Sequence, residues 1–142
     1  MVIKARSYGN NSPVKVACGV IFNDDGYVFV CRRKQEKSLG GHWEFPGGKV
    51  EEGESLQECL KRELLEELDM EVDVKHHLKT VLHDYGTFQI ELVAFSCDFR
   101  RSSFVMTDHD KFEWVNVSAL LVKNLAPADV PIAECLASIF DK

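Results

Sequence analysis

One strongly marked helix lies in the middle of the sequence, and it constrains the fold more than any other feature. Ser55 and Glu58 have the S-x-x-E spacing of a capping box, which starts a helix by satisfying its first free backbone N–H groups. Leucines then recur at helical spacing, at Leu56, Leu60, Leu64 and Leu68. An apolar stripe of this kind has to pack against another layer of the protein.

Segments typical of β-strands lie on both sides of this helix. Residues 14–22 and 27–31 are rich in β-branched and aromatic side chains and flank an Asp-Gly turn, which predicts a hairpin. After the helix we predict strands over 72–82, 87–97 and 112–117, one helical turn over 118–121 and a last helix from about 129 to 140. This order of elements predicts an α+β domain.

Length and composition narrow the class of protein. We assign residues 1–142 to a single domain, with an N-terminal segment, residues 1–13, that is free to be flexible. The net charge of −6 argues against binding to nucleic acid polymers. The sequence has neither a membrane-length apolar run nor a signal-like N-terminus, so we expect a cytoplasmic protein without membrane contact. Five cysteines without a C-x-x-C pair predict buried, reduced thiols.

Three glutamates of the central helix share one face. Glu63, Glu66 and Glu67 stand at positions i, i+3 and i+4, and their face overlaps the edge of the leucine stripe. One interpretation is a solvated acidic face that an Arg62–Glu66 pair partly relieves. The other is a site for a hard cation such as Mg²⁺, which takes oxygen ligands. The helix alone leaves both interpretations open.

The context of the helix favours the cation site. Eight residues follow the spacing G-x5-E-x7-R-E-U-x-E-E-x-G-U, where U is a bulky aliphatic residue: Gly48, Glu54, Arg62, Glu63, Leu64, Glu66, Glu67 and Met70. This spacing resembles the Nudix box. Asp69 stands where the pattern has a glycine in a left-handed conformation, which Asp tolerates better than most residues. We expect this departure to cost some stability and to leave activity intact.

The resemblance extends over residues 14–140. The segments 43–51 and 125–131, together with the hairpin that ends in Arg32-Arg33, are similar to the MutT-like branch of the Nudix family. The resemblance implies the Nudix fold, an α/β/α sandwich with a mixed β-sheet.

A metal site follows from the same resemblance. It implies that Glu63 and Glu67 bind one or more Mg²⁺ ions directly, with Mn²⁺ as a substitute. It also implies that Glu66 binds the metal directly or through water, and that the carbonyl of Gly47 completes the ligand set.

Other residues receive supporting roles from the resemblance. Arg62 would orient the glutamates, and Glu54 would link the preceding loop to them. A carboxylate outside the box often serves as a base or as an extra ligand, and Asp108 is the candidate here. Two neighbours of Asp108 have simpler interpretations, His109 as a loop histidine and Glu113 as a surface charge on a strand.

Four residues are candidates for binding the substrate. Lys49 and Arg33 suit phosphate oxygens, although either could simply be solvated. The resemblance also implies that Phe45 and Asp129 bind the substrate, Asp129 at its base. Asp129 stands where enzymes specific for oxidised guanine have Asn, and an ionised Asp only accepts hydrogen bonds, which suits an exocyclic amine. The simpler interpretation of Asp129 is a cap on the last helix.

The function that the resemblance implies is Mg²⁺-assisted hydrolysis of a small nucleoside triphosphate to a monophosphate and pyrophosphate, by attack of water on the β-phosphorus. The run around Asp129 resembles the CTP pyrophosphohydrolase-like subgroup, so cytidine or modified triphosphates are the expected substrates. The alternatives are an 8-oxo-dGTP diphosphatase, a hydrolase of another nucleoside diphosphate derivative, and a nucleotide sensor with a silent site.

Overall fold

A computed structural model describes residues 12–140 of the chain, so most of the segment 1–13 lies outside the described residues. The strands are β1 (Val14–Phe22), β2 (Val28–Arg33), β3 (Trp43–Glu44), β4 (Gly47–Lys49), β5 (Met70–Asp84), β6 (Gln89–Ser102) and β7 (His109–Val115). The helices are α1 (Leu56–Leu68) and α2 (Val130–Phe140), with 3-10 turns at Val117–Val122 and Pro127–Asp129.

The strands form a mixed sheet in the order β3-β2-β1-β6-β5, with β4 paired to β1 and β7 paired to β2. β1 runs parallel to β6, and the other pairs are antiparallel. The parallel pair requires a long connection between its strands, and residues 23–88, which include α1, provide it. The strand β1 therefore lies in the middle of the sheet, with neighbours on both sides.

The core lies on both faces of this sheet. On one face, Leu60 and Leu64 of α1 pack with Ile21 and Phe29. On the other face, side chains of α2 such as Ile132 pack in a second cluster with β1. Strands that are buried on both faces need apolar residues in nearly every position, which explains the continuous apolar run of β1. The α+β class and the α/β/α sandwich are confirmed.

Both predicted ends of α1 are present. The Ser55 hydroxyl accepts from the Glu58 amide at 3.1 Å, and the Glu58 carboxylate accepts from the Ser55 amide at 2.8 Å. Asp69 has φ 49° and ψ 42°, and its N–H donates to the Leu64 and Leu65 carbonyls. The left-handed cap predicted for Asp69 is confirmed.

This cap leads to a prediction about stability. We expect Asp69→Gly to raise the free energy of unfolding by about 0.5–1 kcal/mol, because glycine adopts a positive φ without steric cost and this gain outweighs the loss of the exposed bond from the Ser103 hydroxyl. Asp69→Ala should lower it, since alanine keeps the steric cost and loses the bond that Asp69 accepts from the Ser103 hydroxyl. Urea denaturation of the three proteins measures both changes, and a destabilised Asp69→Gly variant would contradict this account.

The strands after α1 are longer than predicted. β5 extends beyond 72–82 at both ends, whereas β6 begins two residues later than 87 and continues past 97, where cross-strand ion pairs such as Arg101 with Glu71 at 2.9 Å replace the apolar alternation. β7 begins at His109 and not at residue 112, because a register shift brings His109 opposite Arg33. Within residues 12–140, no helix is long and apolar enough to cross a membrane.

Candidate active site

The acidic face of α1 opens onto a cavity of about 660 Å³. Its lining residues are Lys49, Val50, Glu51, Glu52, Glu63, Glu66, Glu67, Thr107 and Asp108. The cavity is thus bounded by α1, by the end of β4 with the loop after it, and by the loop before β7. The structure brings together five of the residues predicted from the sequence, namely Lys49, Glu63, Glu66, Glu67 and Asp108.

The three helix glutamates differ in their exposure to solvent. Glu67 is only 6% exposed, whereas the side chains of Glu63 and Glu66 are 14% and 59% exposed. This gradient follows from the overlap between the acidic face and the leucine stripe. Burial raises the pKa of Glu67 to about 8, and the neighbouring charge of Glu63 adds to this rise. Burial also raises the pKa of Glu63, although Arg62 opposes the effect.

These carboxylates fit a divalent cation. Two partly desolvated carboxyl groups whose charges repel each other are unfavourable in the isolated protein, and a hard cation turns the repulsion into coordination. Every potential ligand atom of these carboxylates is an oxygen, which is the ligand type that Mg²⁺ and Mn²⁺ take.

Two glycines of β4 allow close contacts, Gly48 with the carboxyl group of Glu63 and Gly47 with the backbone of β1. A Cβ atom on Gly48 would lie 2.1 Å from the Glu63 Cδ, and one on Gly47 would lie 2.0 Å from the Ala17 carbonyl oxygen. Any larger residue would displace Glu63 or separate β4 from β1. Metal binding by the Gly47 carbonyl stays a prediction.

Arg62 joins the loop before α1 to the helix carboxylates. Its guanidinium donates twice to Glu54, at 2.5 and 3.0 Å, and also to Glu63 at 3.0 Å and Glu66 at 3.1 Å. A further bond of 3.2 Å reaches the carbonyl of Lys49. The hydrogen bonds from Arg62 lower the pKa of Glu54 to about 2, so Glu54 stays ionised. The contacts are those that the predicted orienting role of Arg62 and linking role of Glu54 require.

Asp108 lines the cavity together with Thr107, in the loop before β7. Its carboxylate is 3.4 Å from the ammonium group of Lys37, and its carbonyl accepts from the Lys34 amide at 3.1 Å. The next residue, His109, is buried in β7 and binds Glu44, so the interpretation as a loop histidine is wrong. Glu113 pairs with Lys123 at 2.6 Å and is a strand-surface charge, as predicted.

Arg33 does not line the acidic cavity. Its guanidinium is buried, donates to the Ser38 carbonyl at 2.7 Å and lies 3.5 Å from the Glu44 carboxylate. The interpretation as a solvated residue at a strand end is therefore wrong. A phosphate contact by Arg33 stays a prediction, whereas Lys49 lies at the cavity with an exposed side chain.

Asp129 is buried, and its carboxylate accepts a hydrogen bond of 2.8 Å from the Phe45 amide. In place of the simple cap on α2 that the sequence suggested, the Asp129 side chain makes this bond to a residue 84 positions away in the sequence. Burial, together with the nearby charge of Glu44, raises the pKa of Asp129 well above its usual range. The sequence argument that Asp129 is ionised and only accepts therefore needs correction, because burial favours the protonated form. Phe45 is buried in the core cluster that packs on α2.

The comparisons with known proteins agree with this geometry. A family model described as the NUDIX domain matches residues 17–135. The chain belongs to the Nudix family. The CTP pyrophosphohydrolase of Escherichia coli K12 is 31% identical to this Nudix protein over 119 residues, which cover 84% of this chain and 88% of that protein. The 8-oxo-dGTP diphosphatase of Proteus vulgaris is 41% identical over 80 residues, 56% of this chain and 71% of that protein.

Solved structures with the Nudix fold superpose over almost the whole chain. The crystal structure of the MutT protein from Methanosarcina mazei Go1 has a TM-score of 0.83 and 22% identity, and covers 94% of this chain and 100% of its own. The solution structure of the Escherichia coli ORF135 protein has a TM-score of 0.75 and 29% identity, with coverages of 94% and 95%. The predicted family and fold are confirmed.

One buried group of the Nudix domain was missed by the sequence reasoning. Cys31, Glu44 and His109 place potential ligand atoms within 4.8 Å of one another. The Arg33 guanidinium already supplies positive charge to Glu44, which disfavours a cation there. The sequence signal was present in Trp43-Glu44-Phe45, where a charged residue stands between two aromatic residues. The described thiols of Cys18, Cys31, Cys59, Cys97 and Cys135 are free, and all except Cys135 are buried, as predicted.

Proposed function

We propose that this Nudix hydrolase is a Mg²⁺-dependent nucleoside triphosphate pyrophosphohydrolase that releases a monophosphate and pyrophosphate. The observation that carries the proposal is the buried carboxyl group of Glu67 beside Glu63, at a cavity that Lys49 and Asp108 also line. The names of two relatives, CTP pyrophosphohydrolase and 8-oxo-dGTP diphosphatase, support the same class of substrate.

The metal ligands that we propose are Glu63 and Glu67, joined by Glu66 directly or through water and by the Gly47 carbonyl. When bound, Mg²⁺ lowers the pKa of a coordinated water and neutralises charge on the phosphates. Arg62 holds Glu63 and Glu66 through hydrogen bonds, so the carboxylates are oriented before the substrate arrives.

The remaining cavity residues act on the substrate and on the attacking water. The ammonium group of Lys49 attracts phosphate oxygens as a point charge. The carboxylate of Asp108 accepts the proton that the attacking water loses. The oxygen of this water forms a bond to the β-phosphorus, and the bond from that phosphorus to the oxygen of the α-phosphate breaks.

We propose Asp129 and Phe45 as the nucleoside side of the site, with cytidine or modified nucleoside triphosphates as substrates. The relative named CTP pyrophosphohydrolase, which aligns over 84% of this chain, supports the assignment. A second candidate is 8-oxo-dGTP, and the burial of Asp129 favours it. A protonated carboxyl group can donate to a carbonyl oxygen such as guanine O6, whereas an ionised one cannot.

The protonation of Asp129 leads to a prediction on base preference. The exocyclic amine of cytosine donates a hydrogen bond, which an ionised carboxylate accepts best. Because the ionised fraction of Asp129 grows with pH, the ratio of kcat/KM for CTP to that for 8-oxo-dGTP should rise with pH. In Asp129→Asn, whose amide can donate at every pH, the ratio should become independent of pH and lie about 10-fold or more below the wild-type ratio at the highest pH. Steady-state kinetics of both proteins from pH 6 to 9 measure the ratio, in which the titration of shared groups cancels. A ratio that neither pH nor the substitution changes would exclude Asp129 as a base-reading residue.

A substrate panel tests the proposed function itself. The panel contains natural and oxidised (d)NTPs, a sugar nucleotide and a dinucleoside polyphosphate, each with Mg²⁺. We expect the highest kcat/KM for a nucleoside triphosphate. A higher value for either of the other two classes would identify a hydrolase of another diphosphate, and binding without turnover would identify a sensor.

A further inference from the structure

Three side chains that can carry charge lie together in the interior between β2, β3 and β7. Arg33, Glu44 and His109 are each at most 2% exposed. The His109 Nε2 lies 2.7 Å from the Glu44 Oε2, and the Arg33 Nη1 lies 3.5 Å from the same oxygen. Within the described part of the chain, the Glu44 Oε1 and the His109 Nδ1 lack a hydrogen bond, and the Arg33 Nη1 makes the ion pair but no hydrogen bond. Such an arrangement is a poor way to stabilise a core, which points to a role in the site.

One side of this triad holds the loop that carries Asp108. Arg33 and His109 are partners in the β2–β7 ladder, and His109 directly follows Asp108. The Arg33 Nε donates to the Ser38 carbonyl at 2.7 Å and so fixes the loop after β2. The amide of Lys34, at the start of that loop, donates to the Asp108 carbonyl at 3.1 Å. The backbone of Asp108 is therefore fixed through the chain neighbours of the two residues that contact Glu44: Lys34, which follows Arg33, donates to its carbonyl, and His109 follows it directly in the chain.

The other side of the triad faces the nucleoside side of the site. Glu44 directly precedes Phe45, whose amide binds the carboxylate of Asp129 at 2.8 Å. The charge of Glu44 contributes to the raised pKa of both Asp129 and Glu67, so Glu44 lies within electrostatic reach of both ends of the site. A displacement of the Glu44 carboxylate would therefore change the electrostatic environment of both Asp129 and Glu67.

We propose that Arg33, Glu44 and His109 form a buried positioning triad, which holds Asp108 at the wall of the acidic cavity. The triad acts through Asp108 and does not itself touch the reacting atoms. The inference rests on the proposed function, in which Asp108 accepts the proton of the attacking water.

The experiment compares variants of the triad with a matched surface pair. Asp110 binds Arg32 at 2.8 Å across the same two strands, but this pair is partly exposed, so Asp110→Asn is the control for Glu44→Gln. We expect Glu44→Gln and His109→Leu to lower kcat by about 10- to 100-fold, as loss of an orienting contact does, with KM changed less than about threefold. His109→Gln should recover most of the activity, since its amide can still donate to Glu44. Asp110→Asn should behave as the wild type.

Two further measurements separate positioning from a merely structural role. We expect exchange of the Lys34 amide hydrogen to become about tenfold faster in Glu44→Gln and unchanged in Asp110→Asn. In an Asp108→Asn background, Glu44→Gln should lower kcat no further, because both changes act through one group.

Each outcome bears on the proposal. The proposal would be overturned if the losses of kcat from Glu44→Gln and Asp108→Asn multiply in the double variant. Unchanged exchange of the Lys34 amide hydrogen in Glu44→Gln would also overturn it. If Glu44→Gln does not fold, the comparison of His109→Leu with His109→Gln carries the same test. A protein without pyrophosphohydrolase activity would refute the proposed function, whereas the exchange of the Lys34 amide would still report on the triad.

Discussion

Glu67→Gln is expected to lower kcat by about 10²- to 10⁴-fold at saturating Mg²⁺ while the fold stays intact. The substitution keeps the size of the side chain and removes one negative charge from the proposed metal ligands, an interaction that contributes several kcal/mol to the transition state. Glu63→Gln should behave similarly. Steady-state kinetics across a Mg²⁺ titration, with circular dichroism for the fold, measure the effect.

The matched control for this variant is Glu134→Gln. Glu134 is also a helical glutamate, but it is exposed on α2, on the other face of the sheet, and should leave kcat unchanged. Activity near the wild-type level in Glu67→Gln or Glu63→Gln would refute the assignment of α1 as the metal-binding helix.

The same substitution is expected to stabilise the metal-free protein at alkaline pH. Burial raises the pKa of Glu67 from an ordinary value of 4.5 to about 8 in the folded state. Between these values the folded state binds more protons than the unfolded state, so stability falls as pH rises, by up to about 1.4 kcal/mol per pH unit. Glutamine has no charge to desolvate. Glu67→Gln should therefore be more stable than the wild type above pH 8, by up to about 4 kcal/mol.

Urea denaturation in EDTA at pH 5 and pH 9 measures this difference. The advantage of Glu67→Gln should be small at pH 5 and large at pH 9, and added Mg²⁺ should reduce it by stabilising only the wild type. An advantage that is the same at both pH values would show that Glu67 ionises normally. A variant that loses activity and gains stability is the signature of a residue kept for function.

The sequence allowed prediction of the parts of the site that local spacing encodes. The capping box at Ser55, the left-handed Asp69 and the shared face of Glu63 and Glu67 all follow from positions within one helix. The degree to which Glu67 is buried could also be anticipated, because its face overlaps the leucine stripe. Short-range patterns of this kind are set by helical geometry alone.

The other parts of the site depend on contacts between distant segments. Glu44 and His109 are 65 residues apart, and Phe45 and Asp129 are 84 residues apart. Nothing in the local pattern shows that these residues meet or that Asp129 is buried, so an ionised, solvated carboxylate was the natural expectation. The buried environment is created only when β2, β3 and β7 pair and the segment before α2 packs against β3, and it favours the protonated form of Asp129 over the ionised form that the sequence argument assumed.

The most direct test of the proposed pyrophosphohydrolase activity is analysis of the products in ¹⁸O-labelled water. The protein is incubated with Mg²⁺ and the best triphosphate of the substrate panel, and the products are resolved by ³¹P NMR and mass spectrometry. We predict equal amounts of nucleoside monophosphate and pyrophosphate, with ¹⁸O in the pyrophosphate, because water attacks the β-phosphorus. Release of nucleoside diphosphate and phosphate would contradict the proposed activity, and ¹⁸O in the monophosphate would contradict attack at the β-phosphorus.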